Sequence, residues 1–228
     1  MCRLLAVLLL LPAVGFAQAV AKGDIAADFK EYEAVLADTG TSDKWIAKTG
    51  PARYAAWRKA AEGGDAKAMQ LAGRCLEVGA GAEKDEKQAI EWYRKAADLG
   101  NVRAMHSLGV CYDQGTGMAK DEKKAAEWYR KAADLSNVMS MHNLGVCYAL
   151  GTGVAKDQKA AVGWYRKAAD LGDRSAAFNL GNCYEYGNGV AKDEKQAVEW
   201  YRRVYPPILV AWFKRRSSRC PIGWSSAR

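Results

Sequence analysis

Cys75, Cys111, Cys147 and Cys183 stand 36 residues apart, and Trp92, Trp128, Trp164 and Trp200 keep the same interval. A period held that strictly over residues 66 to 203 means tandem copies of one supersecondary unit. Each copy reads like Ala104-x3-Leu108-Gly109-x-Cys111-Tyr112-x2-Gly115-x-Gly117, then Lys120-Asp121, then Ala125-x2-Trp128-Tyr129-Arg130-Lys131-Ala132-Ala133.

Two helical stripes lie inside this pattern. Ala104, Leu108, Cys111 and Tyr112 fall at i, i+4, i+7 and i+8, one face of a first helix that Gly115 and Gly117 bring to an end. Ala125, Trp128, Tyr129, Ala132 and Ala133 repeat the spacing on a second helix, with Asp121 placed to cap its start. Gly100 and Gly172 read as left-handed caps at the ends of second helices, and Asn101, Asn137 and Asp173 as the caps that open the next first helices. Neither stripe of a hairpin can be buried alone, so the copies must stack. Gly109 and Ala132 are expected to let backbones approach. Trp128 and Tyr129, with Trp164 and Trp200 as later copies, are expected to fill the layers, each buried aromatic contributing about 1.5–3 kcal/mol. The predicted fold is all-α: an α/α superhelical solenoid of stacked helix hairpins, curved and right-handed.

The runs Leu-Gly-x-Cys-Tyr, Gly-x-Gly-Val-x-Lys-Asp and Trp-Tyr-Arg-Lys-Ala-Ala resemble the Sel-one-like repeat family, a relative of the tetratricopeptide repeat. The resemblance covers the four copies. It implies a scaffold or adaptor for protein complexes, in secretory quality control, bacterial envelope processes or host contact. Two positions depart from the pattern: Leu76 stands where the other copies have Tyr, and Ser136 replaces a capping Gly.

Outside the repeats the reading is coarser. Arg3 precedes an apolar run from Leu4 to Leu11, followed by the small residues Gly15 and Ala17, which is the layout of a secretory signal peptide over residues 1–21. Cleavage fits after Ala17 or after Ala21. The run is too short for a stable membrane span, and Cys2 precedes it, so export without a lipid anchor is expected, with a secreted or periplasmic location. Residues 22–65 read as an N-terminal helical cap with a degenerate half repeat. In it Ile25, Phe29, Tyr32 and Leu36 form one amphipathic helix, Thr39 to Pro51 a loop, and Trp57-Arg58-Lys59-Ala60-Ala61 aligns with Tyr93-Arg94-Lys95-Ala96-Ala97. Four repeats follow at 66–101, 102–137, 138–173 and, truncated, 174–205. Pro206 and Pro207 end the last helix, and 206–228 is an irregular basic tail.

Charge and side-chain chemistry narrow the function. Of the net +8, the tail from 204 onward carries five cations and no carboxylate, so the excess is an end rather than a nucleic-acid face. Cysteines at equivalent positions of stacked helices lie about 8–10 Å apart, beyond the roughly 4.4–6.8 Å of a disulfide. The resemblance points the same way, because relatives with disulfides place two cysteines in each repeat. Buried free thiols are expected, with Cys220 unpartnered and Cys2 leaving with the leader. His106 and His142 share a repeat position. Five residues from Cys111 or Cys147, about 140° around the helix, they do not form a metal site with them. The repeated Gly-x-Gly lacks the Lys-Ser or Lys-Thr of a phosphate loop, and no cofactor is implied. No Ser, His, Asp or Cys constellation breaks the repeat rule, so no catalytic residue is assigned. The alternative is a secreted, hydrolase-like enzyme whose site the sequence hides.

In such stacks the first helices line the concave side, and their variable positions are the candidate contacts. The copies differ at Gln70, His106, His142 and Phe178, at Leu71, Ser107, Asn143 and Asn179, and at Arg74, Val110, Val146 and Asn182. A ladder of amide, imidazole and phenyl groups suits a protein or peptide partner. The expected binding residues are therefore His106, His142, Asn143, Phe178, Asn179 and Asn182; the sequence leaves the oligomeric state open.

Overall fold

The computed structural model of the protein describes residues 25–39 and 42–204, with side chains over most of that range. The expected leader, Cys2, the Leu36 side chain, Cys220 and the basic tail lie outside the described residues. Everything described is helix or turn, with no strand. Two compact units meet between Lys120 and Asp121. The first holds α1 (Ile25–Thr39), α2 (Ser42–Glu62), α3 (Ala66–Val78), α4 (Glu86–Asp98) and α5 (Val102–Gln114). The second holds α6 (Glu122–Asp134), α7 (Val138–Leu150), α8 (Gln158–Asp170), α9 (Arg174–Tyr186) and α10 (Glu194–Arg202). Within each unit consecutive helices pack as neighbours, and α1 lies on both α2 and α3. This is the α/α solenoid class that the period predicts.

Local chemistry sets the helix ends. Asp85, Asp121, Asp157 and Asp193 open the second helices, each carboxylate accepting an orphan amide N–H of the first turn at 2.9–3.0 Å. Asn101, Asn137 and Asp173 do the same for first helices. Cys75, Cys111, Cys147 and Cys183 are buried thiols.

The packing corrects three expectations. The Leu-Gly glycine admits a ring as well as a backbone: a Cβ on Gly145 would lie 2.6 Å from Tyr165 Cε1 and 3.4 Å from the Ala161 carbonyl oxygen, and one on Gly181 2.5 Å from Tyr201 Cε1. Tyr129, Tyr165 and Tyr201 are accordingly buried. The tryptophans are not uniformly core. Trp128 and Trp164 sit half-buried at the stripe's edge, where Lys131 and Lys167 cover them with Nζ 4.2 and 4.1 Å from the ring centres, while Trp200 is buried. Tyr112 is half-buried too, and its hydroxyl accepts from Arg94 Nη2 at 3.3 Å.

The third correction concerns Thr39 to Pro51, whose described residues, 39 and 42–51, are helix rather than loop. Thr39 closes α1, and Ser42 onward is continuous helix through Pro51. Ile46, Gly50, Tyr54, Trp57 and Ala61 form an unbroken buried stripe at i, i+4, i+8, i+11 and i+15, and Pro51 is exposed beside it. An interior proline costs about 3 kcal/mol. Burying Ile46 and Trp57 completely, at about 1.5–3 kcal/mol each, outweighs it.

Candidate functional site

In the second unit the first helices α7 and α9 present their variable positions together. A depression of about 370 Å³ is lined by His142, Arg174, Ser175, Phe178, Asn179 and Val204. His142 and Asn179 form one polar pair, Asn179 Nδ2 donating to His142 Nε2 at 3.0 Å; with the amide in this orientation the imidazole carries its proton on Nδ1. The His142 ring also tilts against Tyr165, 6.0 Å between centres, and Phe178 against Tyr201 at 5.7 Å. Each variable side chain is thus rooted on a buried tyrosine of a second helix. Arg174 stands at the rim, Nη2 donating to the Val204 carbonyl.

Of the expected contacts, the structure brings His142, Phe178 and Asn179 into this hollow. Asn143 is half-buried on α7 and does not line it. Asn182 packs against α10: its Oδ1 and Glu185 Oε2 both lie 2.6 Å from the Tyr201 hydroxyl, whose single proton goes to one of them at a time. Burial, then the Glu185 hydrogen bond, holds the Tyr201 phenol above its ordinary pKa. Arg174 and Ser175 were not among the expected contacts. Arg174 carried a signal, since earlier copies have Ala66, Val102 and Val138 at its position.

The first unit treats the same register differently. Gln70 and Leu71, equivalents of Phe178 and Asn179, are fully buried, and α1 lies across this side. Lys67 Nζ is 5.2 Å from the Phe29 ring centre. The Arg103 guanidinium is 5.8 Å from the Tyr32 ring centre, and its Nε donates to Glu33 Oε1 at 3.3 Å. On the α2 side Asp28 Oδ2 accepts from Arg53 Nε at 3.1 Å and Trp57 Nε1 at 2.8 Å. Arg74 pairs with Asp43 and with Glu77, the latter at 2.7 Å. Burial alone would lower the Arg74 pKa, but the Glu77 carboxylate overrides it and holds it above the ordinary value.

His106 is half-buried in this unit, its pKa pushed down to about 4 by desolvation and then by the Arg103 and Arg74 cations. It is a neutral packing group. Burial likewise pushes the Cys75 and Cys111 thiols up to about 12, the reverse of what a nucleophile or metal ligand needs. Among the described residues no three metal-ligating side chains cluster, and no helix is long and apolar enough to cross a membrane.

Comparison with known proteins agrees with the repeat geometry. Four Sel1 repeats match at residues 66–101, 102–137, 138–173 and 174–203. Among solved structures, a Sel1 repeat protein from Oxalobacter formigenes is 39% identical with a TM-score of 0.60, over 62% of this chain and 58% of that one. The protein c5321, a protective antigen of uropathogenic Escherichia coli strains with an SLR fold, is 30% identical with a TM-score of 0.67, over 83% of this chain and 39% of that one. The chain therefore spans less than two thirds of either relative. A putative sel1 repeat protein from Klebsiella pneumoniae, 20% identical over 91% of this chain and 97% of its own, shares the fold at a TM-score of 0.51. No curated protein matches.

Proposed function

The chain belongs to the Sel1 repeat family, and on that premise we propose that it is an exported, non-catalytic scaffold that binds a protein or peptide through the first-helix face of its repeats. Arrays of this family commonly serve as protein-interaction scaffolds. The observation that carries the reading is the hollow between α7 and α9. It is built from positions that differ between copies, His142, Phe178 and Asn179, each set on a frame of residues that repeat. Variation confined to one face of a constant frame is how a solenoid acquires a partner. The titratable groups that enzymes use are placed against this: the thiols are buried and His106 is held neutral. Export rests on Arg3 and the apolar run Leu4 to Leu11, and the protective-antigen relative from Escherichia coli accords with it.

The test is capture of partners from the exporting cell by the full chain and by a variant with His142, Asn143, Phe178 and Asn179 all replaced by Ala. The variant is expected to keep its helicity and to lose the captured partner at least tenfold, about 1.4 kcal/mol. Undiminished capture, with loss instead on replacing Lys123 and Lys159 of the second helices, overturns the reading.

A further inference from the structure

The protein contains one helix seated on a first-helix face, and it shows what such a face accepts. α1 presents two rings, Phe29 and Tyr32, with the carboxylates Asp28 and Glu33 directly beside them. The rings meet Lys67 and Arg103, Glu33 meets the same Arg103, and Asp28 is held by Arg53 and Trp57. Lys67 and Arg103 share one repeat position on α3 and α5. The face gives cations, and the helix answers with aromatic faces and acids.

The second unit has no described helix on this face, and its cation sits one position earlier: Met139 and Ser175 stand where Lys67 and Arg103 do, and Arg174 opens α9. Arg174 is exposed at the start of α9, and among the described residues no carboxylate pairs with it. Among the described residues one guanidinium nitrogen is engaged, by the Val204 carbonyl, so the planar fork keeps donors for an acid. One turn on, the half-buried Phe178 ring lines the same hollow, supplying an aromatic surface for a partner side chain. The His142–Asn179 pair forms a polar floor that is already hydrogen-bonded; a helix, whose own backbone is satisfied internally, asks less of such a floor than an extended peptide does.

Resting on the scaffold reading above, we propose that the hollow between α7 and α9 is a docking groove for an amphipathic helix of a partner protein. That helix carries an aromatic residue that enters against Phe178 and an Asp or Glu within one turn of it that pairs with Arg174. The juxtaposition of Arg174, Phe178 and the His142–Asn179 pair selects this acidic-aromatic helix over a basic one.

The probe is a fluorescein-labelled peptide of residues 25–39, the acidic-aromatic helix the chain itself contains, titrated into the full-length protein by fluorescence anisotropy. Saturable binding is expected, weakened at least tenfold by Arg174→Glu and by Phe178→Ala. It should also be lost when Phe29 and Tyr32 of the peptide are replaced by Ala. A photoreactive group at peptide position 29 is expected to cross-link to segments 138–150 and 174–186. Binding by a scrambled peptide of equal strength overturns the proposal, and so does cross-linking confined to 66–78 or 102–114, which would be exchange with the chain's own α1. Circular dichroism checks that both variants fold, and Arg174→Ala supplies a milder change at the same atom. The two readings separate cleanly. If the quadruple variant loses the native partner while neither the peptide nor Arg174→Glu affects capture, the face binds but not this helix. If the quadruple variant captures normally, the scaffold reading fails first.

Discussion

The first-helix face of the first unit carries α1, whereas no described helix lies on that of the second, although the two are built from copies of one repeat. In the first unit Gln70 is 1% exposed, whereas its equivalents His106, His142 and Phe178 are half-buried, the last two lining a hollow. This α1 roof has a cost. Gln70 Oε1, Arg74 Nε and Trp45 Nε1 are buried without a partner among the described residues, and an unsatisfied buried polar atom costs about 1–3 kcal/mol. Its hold is the ion pair and rings around Asp28, Phe29 and Tyr32. The lesson is that identical framework residues give a closed end or a receptive surface according to what lies over the variable positions.

The comparison breaks most sharply at Asp28. Its carboxylate is nearly buried and serves Arg53 and Trp57 together. Asp28→Ala removes the acceptor that Arg53 and Trp57 share, and removing one partner of a buried pair costs about 3–5 kcal/mol. Stability in a repeat stack is close to a sum of neighbour terms, so the loss should stay local. Amide exchange is expected to speed up across α1, α2 and α3 while α9 and α10 keep their protection. A uniform loss over all ten helices would show that the roof stabilises the whole chain and that the contrast between units is not energetic.

A smaller effect distinguishes the units by pH. His106 has its pKa pushed down to about 4 from an ordinary 6.5, so between those values the unfolded chain takes up a proton that the folded chain refuses. The stability from neutral His106 is therefore complete above about pH 6.5 and is lost as pH falls toward 4, on the order of 2 kcal/mol. Urea midpoints of the wild type and His106→Gln measured at pH 7.5 and 4.5 isolate this contribution from the carboxylates, which titrate in both. The wild type should lose more stability on acidification than the variant. Parallel losses would mean that solvent reaches the ring and that α1 does not seal this face.

What was legible in the sequence was what depends on near neighbours in the chain. Asp121 lies just before a helix and needs only an amide three residues on, so its capping role was readable, as were the buried cysteines at i+7 in a stripe. His142, Phe178 and Asn179, which line one hollow, stand out in the sequence because a repeat exposes its variable positions by subtraction. The roof was not legible. Phe29 and Tyr32 reveal an apolar face, but nothing local says that Lys67 and Arg103 receive it. Pro51 misled for the same reason, because the stripe from Ile46 to Ala61 that carries the helix past it is justified only by what α3 places against it. Nothing local to Asn182 says that the Tyr201 hydroxyl lies against its Oδ1.

The smallest effect lies in the turn between α6 and α7. Ser136 adopts a left-handed φ of 65°, where the matching residues of neighbouring repeats are Gly100 at 82° and Gly172 at 94°. The turn is held by Leu135 and Asn137 donating to the Ala132 carbonyl at 3.2 and 3.0 Å, and by Ser136 donating to that of Ala133 at 2.9 Å; none of these bonds uses the serine side chain. A residue with a Cβ in this region costs about 1 kcal/mol more than glycine, so Ser136→Gly should stabilise, less whatever entropy glycine adds to the unfolded chain. The reciprocal change isolates the cause: a Cβ at Gly172 meets nothing within 4 Å, so Gly172→Ser carries backbone strain and no clash. Thermal midpoints should rise by a few degrees for Ser136→Gly and fall by a similar amount for Gly172→Ser, on the scale of about 1 kcal/mol. Binding of the 25–39 peptide should be the same in both, because neither turn lines the hollow. Equal midpoints in all three proteins would show that this turn tolerates a side chain without strain.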